Sequence, residues 1–235
     1  MPKAWDQWKV LQHGALEQLA DNLWRVEGSL PDMPLHRVMT IARRGDELVI
    51  HNAVCVDESS MKRIELAGVP AQLIVPNGWH RLDARVWKQR FPQAKLYCPA
   101  GSRKRVEQVV AVDGTYDAFP NSEDVRLEHL QGVREAEGVM TVRSADGVTL
   151  VFNDVLFNMP HQPGLQGWVL RLMGSSGGPR VTRFVRLVMV KDRRALRANL
   201  ERLAETRDLR RIIVSHHEMI NESASEVLRR VASRL

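Results

Sequence analysis

Two strand ends carry the residues that could do chemistry in this chain. VTLVFND (148–154) ends in Asp154, and LRRIIVSHH (209–217) ends in His216 and His217. A carboxylate and an imidazole delivered by strand ends suit a metal-dependent hydrolytic site. Both ligate hard or borderline divalent ions, the strands hold them rigidly, and the turns that follow leave them open to substrate. An acid at a strand end also serves as a turn or helix cap, and paired histidines also occur as ordinary hydrogen-bonded surface residues. The residues locate a site without naming a reaction.

Periodicity supplies the elements that must position them. NLWRVEGSL (22–30) reads as a strand, and HRVMTIARRGDELVIHNAV (36–54) as two strands joined by the turn RRGDE. DESSMKRIELAG predicts a helix, with acceptor side chains at its start, Met61, Ile64, Leu66 and Ala67 as apolar positions, and Gly68 as its stop. AQLIV (71–75) is a short, mostly apolar strand of the kind found centrally in a sheet covered on both faces. LDARVWKQRF is helical and ends before Pro92, AKLYC is a strand, and SRKRVEQVV a short helix. That alternation predicts a layered α/β fold.

From residue 125 onward VRLEHLQG, GVMTVRS and VTLVFND predict antiparallel strands, the last two joined by the turn ADG. Asp192 opens a helix with Leu196, Leu200 and Leu203 on one face, RRIIVS is the next strand, and SASE is a capping box opening the last helix. Between them MPHQPGLQGWVLRLMGSSGGPRVTRF surrounds the apolar island WVLRLM, which suits a lid, a dimer contact or a buried helix. GSSGGPR lacks the GK[ST] ending of a phosphate loop.

With 235 residues and 44% hydrophobic content the chain can bury a sizeable core. We expect one domain over residues 22–235 behind an N-terminal extension, residues 1–21. The start, MPKAWDQWKV, has no apolar stretch of signal-peptide length, and no window approaches the roughly 20 apolar residues of a membrane span. The expectation is a cytoplasmic protein with no membrane partner. Cys55 and Cys98 are isolated and read as core thiols. The net charge of +6 favours anionic partners. Much of the excess interleaves with a leucine stripe at helical spacing in KDRRALRANLERLAETRDLRR, as on a solvated helix face. No aromatic residues accompany these arginines, which argues against nucleic acid, and an anionic small molecule remains the other partner the charge suits.

The element order, together with LIVPNGWHRLD, VFNDVLF and IIVSHH, resembles the metallo-β-lactamase fold superfamily over roughly residues 22–235. The resemblance implies an αββα four-layer sandwich with metal ligands on loops at one sheet edge. Family members carry HxHxDH after the strand corresponding to AQLIV. In the simplest register Asn77 and Trp79 stand in the two leading His positions here, Arg81 in the Asp position and Leu82 in the last. A shift by one puts His80 in the second His position and Asp83 in the last, with Gly78 and Leu82 in the others. Neither register restores a dizinc site, because zinc needs about three or four N, S or O ligands.

The resemblance also matches Asp154 to the bridging Asp, His216 to the last His with His217 as its stand-in, and Glu137 to a His in a turn between strands. The first reading is a protein without standard dizinc chemistry, either non-catalytic or binding a small ligand. In one version of it Arg81 neutralises Asp154 in place of a metal. The second is a hydrolase of an ester, thioester, amide or phosphoester, with one Zn, Mn or Fe ion held by His80, Glu137, Asp154 and His216. A nucleic-acid role comes third.

Overall fold

A computed structural model describes residues 4–31, 33–161, 163–172 and 174–235. In the first half the strands β1 (Glu17–Ala20), β2 (Leu23–Leu30), β3 (Met33–Arg44) and β4 (Glu47–His51) lead into helix α1 (Glu58–Ala67) and strand β5 (Val69–Ile74). Helix α2 (Ala84–Arg90), strand β6 (Lys95–Cys98), helix α3 (Arg103–Val106) and strand β7 (Gly114–Thr115) follow. The second half runs β8 (Val125–His129), β9 (Gly138–Ser144), β10 (Gly147–Val151), β11 (Phe157–Met159), α4 (Gly164–Leu172), β12 (Gly178–Arg180), α5 (Arg183–Val188), α6 (Arg193–Ala204), β13 (Leu209–Ile213) and α7 (Ala224–Ala232).

A seven-stranded sheet has the order β1-β2-β3-β4-β5-β6-β7, and a four-stranded sheet the order β13-β10-β9-β8. β4 through β7 pair in parallel, as do β10 and β13. β5, expected to be central, has β4 and β6 beside it. Strand alternation sorts the buried side chains into three clusters. On β4, Leu48 and Ile50 meet Met61 and Ile64 of α1 and Trp87 of α2, while Val49 faces the other way. On β13, Ile212 packs with Leu196, Leu200 and Leu203 of α6 and Leu228 of α7, while Ile213 faces the other way. Between the sheets Val49, Ile74, Val142, Val151 and Ile213 form the middle cluster. Three apolar interfaces stacked in this way make the expected four layers, helix, sheet, sheet, helix.

The N-terminal segment is packed down. Trp5 N–H donates to the Leu82 carbonyl at 2.8 Å, Trp8 Nε1 to the Val56 carbonyl at 3.0 Å, and the Trp8 ring lies 5.4 Å from Trp87. Both cysteines are free and buried, as expected, and burial raises their thiol pKa values. No helix among the described residues is long and apolar enough to cross a membrane.

Two local expectations are corrected. Ser223 precedes α7 with φ 49, in the left-handed region, and its hydroxyl makes no capping bond. The backbone has turned the side chain away from the amides it would cap, so SASE is no capping box. The stretch from 159 to 184, read as a loop around an apolar island, contains α4 and the short ribbon β11–β12. Trp168 and Leu172 on α4 are exposed.

Candidate functional site

Four strands end on one side of the sandwich, and the site is assembled where they stop. β4 leads to Asn52, β5 to the segment 75–80, β10 to Asn153 and Asp154, and β13 to Ser215 and His216. Each strand belongs to a parallel pair, and the carboxyl ends of such strands are where open α/β sheets leave a crevice. Asp154, His216, Asn77 and Glu137 are all buried, with His80 partly so.

Asp154 Oδ1 lies 3.1 Å from His80 Nε2 and 3.1 Å from His216 Nε2. Its other oxygen accepts a 2.7 Å hydrogen bond from Asn77 Nδ2. Ligand atoms of His80, Asp154 and His216 all fall within 4.8 Å of one another. The outer contacts define the histidine tautomers. His216 Nδ1 is 2.7 Å from the His36 carbonyl oxygen, which can only accept, so Nδ1 carries a proton. His80 Nδ1 is 3.0 Å from Asn52 Oδ1, and that amide is oriented by its own Nδ2 donating to the Val38 carbonyl at 2.8 Å. The His80 Nδ1 is therefore also a donor.

Two neutral imidazoles protonated at Nδ1 would point both Nε2 lone pairs at a carboxylate oxygen. Three electron pairs converging on one spot repel unless a cation or added protons stand among them. An imidazole whose outer nitrogen donates to an oxygen acceptor is the usual arrangement of a metal ligand. The donor set thus fits one divalent ion. Burial pulls the His216 pKa down, but the hydrogen bond and charge of Asp154 outweigh it and leave the pKa raised. Burial opposes ionisation of Asp154 too, yet the two histidines hold its carboxyl far below the usual range.

Glu137 is wholly buried beside this cluster and outside it. Its carboxylate accepts backbone N–H bonds from Asn153 at 3.2 Å, Asp154 at 2.9 Å and Val155 at 2.9 Å, and a 3.3 Å contact from Asn77 Nδ2. Burial and the neighbouring Asp154 charge push its pKa up, against the pull of these donors. Glu137 thereby fixes the turn that presents Asp154. Asn77 Oδ1 accepts from the N–H groups of Trp79 (2.8 Å) and His80 (3.2 Å), which fixes the amide with its Nδ2 toward the two carboxylates.

The segment after β5 supplies one residue from each register of NGWHRL: Asn77 and His80 both reach Asp154. Arg81 does not. Its guanidinium donates to the Arg105 carbonyl and to Gln108 Oε1, so the idea that it neutralises Asp154 is corrected, and the neutral Asn77 amide occupies that place. Asp83 forms a buried ion pair with Arg37 at the start of α2 and lies apart from the cluster. His217 stacks on His36 with ring centroids 6.4 Å apart, at φ 69, and does not join either. Trp79 is half-exposed, its ring 6.3 Å from Phe184. Sequence reasoning missed Asn52 and the His36 carbonyl. Asn52 has a local signal, since at φ 58 after a strand an asparagine is one of the few residues that fits easily.

No protein-family model and no curated protein matches the sequence. Among solved structures the chain is similar to a metallo-β-lactamase from Erythrobacter litoralis with β-mercaptoethanol in its active site. The TM-score is 0.62 at 12% identity, covering 97% of this chain and all of that one. It is also similar to the metallo-β-lactamase FIM-1 from Pseudomonas aeruginosa in its mono-zinc form, with a TM-score of 0.61 at 13% identity, covering 96% and 97% of the two chains. The layers, the strand order and these likenesses agree: the chain has the metallo-β-lactamase fold.

Proposed function

We propose that this protein is a hydrolase that uses one divalent metal ion, held by His80, Asp154 and His216, on an ester, thioester, amide or phosphoester. The observation that carries this reading is the pair of Nδ1–H groups donating to fixed oxygens, which turns both Nε2 lone pairs onto Asp154 Oδ1. Mixed His and carboxylate ligation suits Zn, Mn or Fe. When bound, such an ion supplies Lewis acidity, which makes a nucleophile from water near neutral pH and polarises the group under attack.

The chain's own residues prepare this. Asn77 engages Asp154 Oδ2 and leaves Oδ1 for the ion. Glu137 holds the 153–155 turn through its three amides. Phe157 stacks on His216 at 5.2 Å between centroids and packs one face of that ring.

Asn77, Trp79, Arg81 and Leu82 at the HxHxDH positions favour the other reading, a ligand-binding protein without catalysis. Metal analysis and zinc titration by calorimetry separate the two. One ion per chain, lost in Asp154→Ala and His216→Ala, supports the hydrolase, and turnover of chromogenic esters or phosphoesters then defines the bond cleaved. Purified protein that holds no metal and takes up none overturns it.

A further inference from the structure

A cavity of about 370 Å³ is lined in part by Asn77, whose amide donates to Asp154, while His80, Asp154 and His216 themselves are not among its lining residues. Cations from three separate elements line it: Arg105 of α3, Arg134 in the turn after β8, and Lys191 between α5 and α6. Among the described residues no acidic side chain lines it. On α3 Arg103 is paired with Glu107, whereas Arg105, like Arg134 and Lys191, has no carboxylate partner among the described residues.

These walls are built in place. The Arg105 stem crosses Gly78, where a Cβ would come within 2.8 Å of Arg105 Cδ, and the guanidinium lies 5.8 Å from the Trp79 ring centroid. Arg134 and Glu135 sit in succession at φ 50 and 53, a costly conformation for side-chain-bearing residues. Gly101 N–H donates to the Glu135 carbonyl at 2.9 Å, and a Cβ at Gly101 would come within 2.4 Å of the Arg134 carbonyl. Lys191 N–H donates to the Gly132 carbonyl at 2.7 Å. The three cations therefore stand on segments tied to their neighbours by backbone bonds. Trp79, Val188 and Met189 add an apolar wall.

We propose that this cavity binds a small organic phosphate, its phosphate group held by Arg105, Arg134 and Lys191 and its apolar part against Trp79. Three unpaired cations suit a dianion better than a monoanionic carboxylate, and the arginine fork matches phosphate oxygens. The volume is that of an ordinary small-ligand pocket. Because Asn77 both lines the cavity and donates to Asp154, the same phosphate is assigned as the substrate class of the hydrolase proposed above. That assignment rests on the hydrolase reading, whereas the binding does not.

Calorimetry of the full chain with phenylphosphonate, whose C–P bond is not hydrolysed, tests it, once with a chelator and once with zinc. Phenylphosphonate binds the chelated protein, and benzoate, with the same ring and one charge, binds roughly tenfold more weakly or worse. Arg105→Ala, Arg134→Ala and Lys191→Ala, all at exposed positions, each weaken phenylphosphonate roughly tenfold, and Arg103→Ala, on the same helix but paired with Glu107 and outside the cavity, leaves it unchanged. Equal affinity for benzoate, indifference to the three substitutions, or absence of binding overturns the proposal. Zinc binding without phosphonate binding removes this pocket and leaves the hydrolase reading. Phosphonate binding without zinc binding does the reverse.

Discussion

At the scale of single residues the site is organised around one carboxylate, and its neighbours have unequal duties. Asn77→Ala removes the amide that serves Asp154 and Glu137 together, leaving the buried Asp154 Oδ2 without its donor. We expect a loss of about 1–3 kcal/mol in urea unfolding, with zinc affinity reduced as Asp154 loosens. The acid–histidine pair also makes a pH prediction. His216 is raised above its ordinary 6.5, so in metal-free protein its contribution is complete below about that pH and disappears as pH rises through the higher folded value. Asp154 is depressed below its ordinary 3.8, so its contribution is present above that and disappears only as pH falls through the lower folded value. Chelated protein should therefore be helped most by this pair between about pH 4 and pH 6.5 and less above. Saturating zinc should reverse the slope, because the ion competes with the histidine protons and binds more tightly as pH rises. Denaturation with and without chelator across that range checks both slopes.

At the scale of elements the sequence was most legible where one local rule acts alone. Asp57 and Asp192 cap α1 and α6 through bonds to Ser60 N at 2.7 Å and Ala195 N at 3.0 Å, as their acceptor side chains implied. Asp192→Ala should cost about 1 kcal/mol. Ser223→Ala should be nearly neutral in the same thermal melt, since Ser223 makes no capping bond despite the S-x-x-E pattern. That pattern failed because the preceding chain sets φ 49 at Ser223, which is a tertiary outcome. The leucine stripe of α6 was read correctly: Leu196, Leu200 and Leu203 are buried. Leu200→Ala should cost about 2–5 kcal/mol in the same melts, as a core cavity does.

At the scale of the whole molecule the three donors belong to both sheets, His80 following β5 and Asp154 and His216 ending β10 and β13. An ion there would clamp the sandwich. At a zinc concentration about a hundredfold above its dissociation constant the fold should gain about 2.7 kcal/mol. Hydrogen exchange should slow together at the ends of β5, β10 and β13, and slowing confined to one sheet would contradict a shared ion.

Most of the strands, the layered α/β alternation and the placing of Asp154 and His216 at strand ends came from the sequence, because apolar alternation and turn residues are local properties that survive without knowledge of neighbours, while the four-layer order came only from the family resemblance. His80 could be nominated and not placed, since the NGWHRL segment allows two registers and only packing against Asn52 and Asp154 selects the side chains that turn inward. The true partner of Arg81, the duty of Glu137 as acceptor for a turn, and the meeting of Arg105, Arg134 and Lys191 around one cavity were decided by tertiary structure alone. Those contacts join separate elements, and only tertiary packing brings their residues within reach of one another.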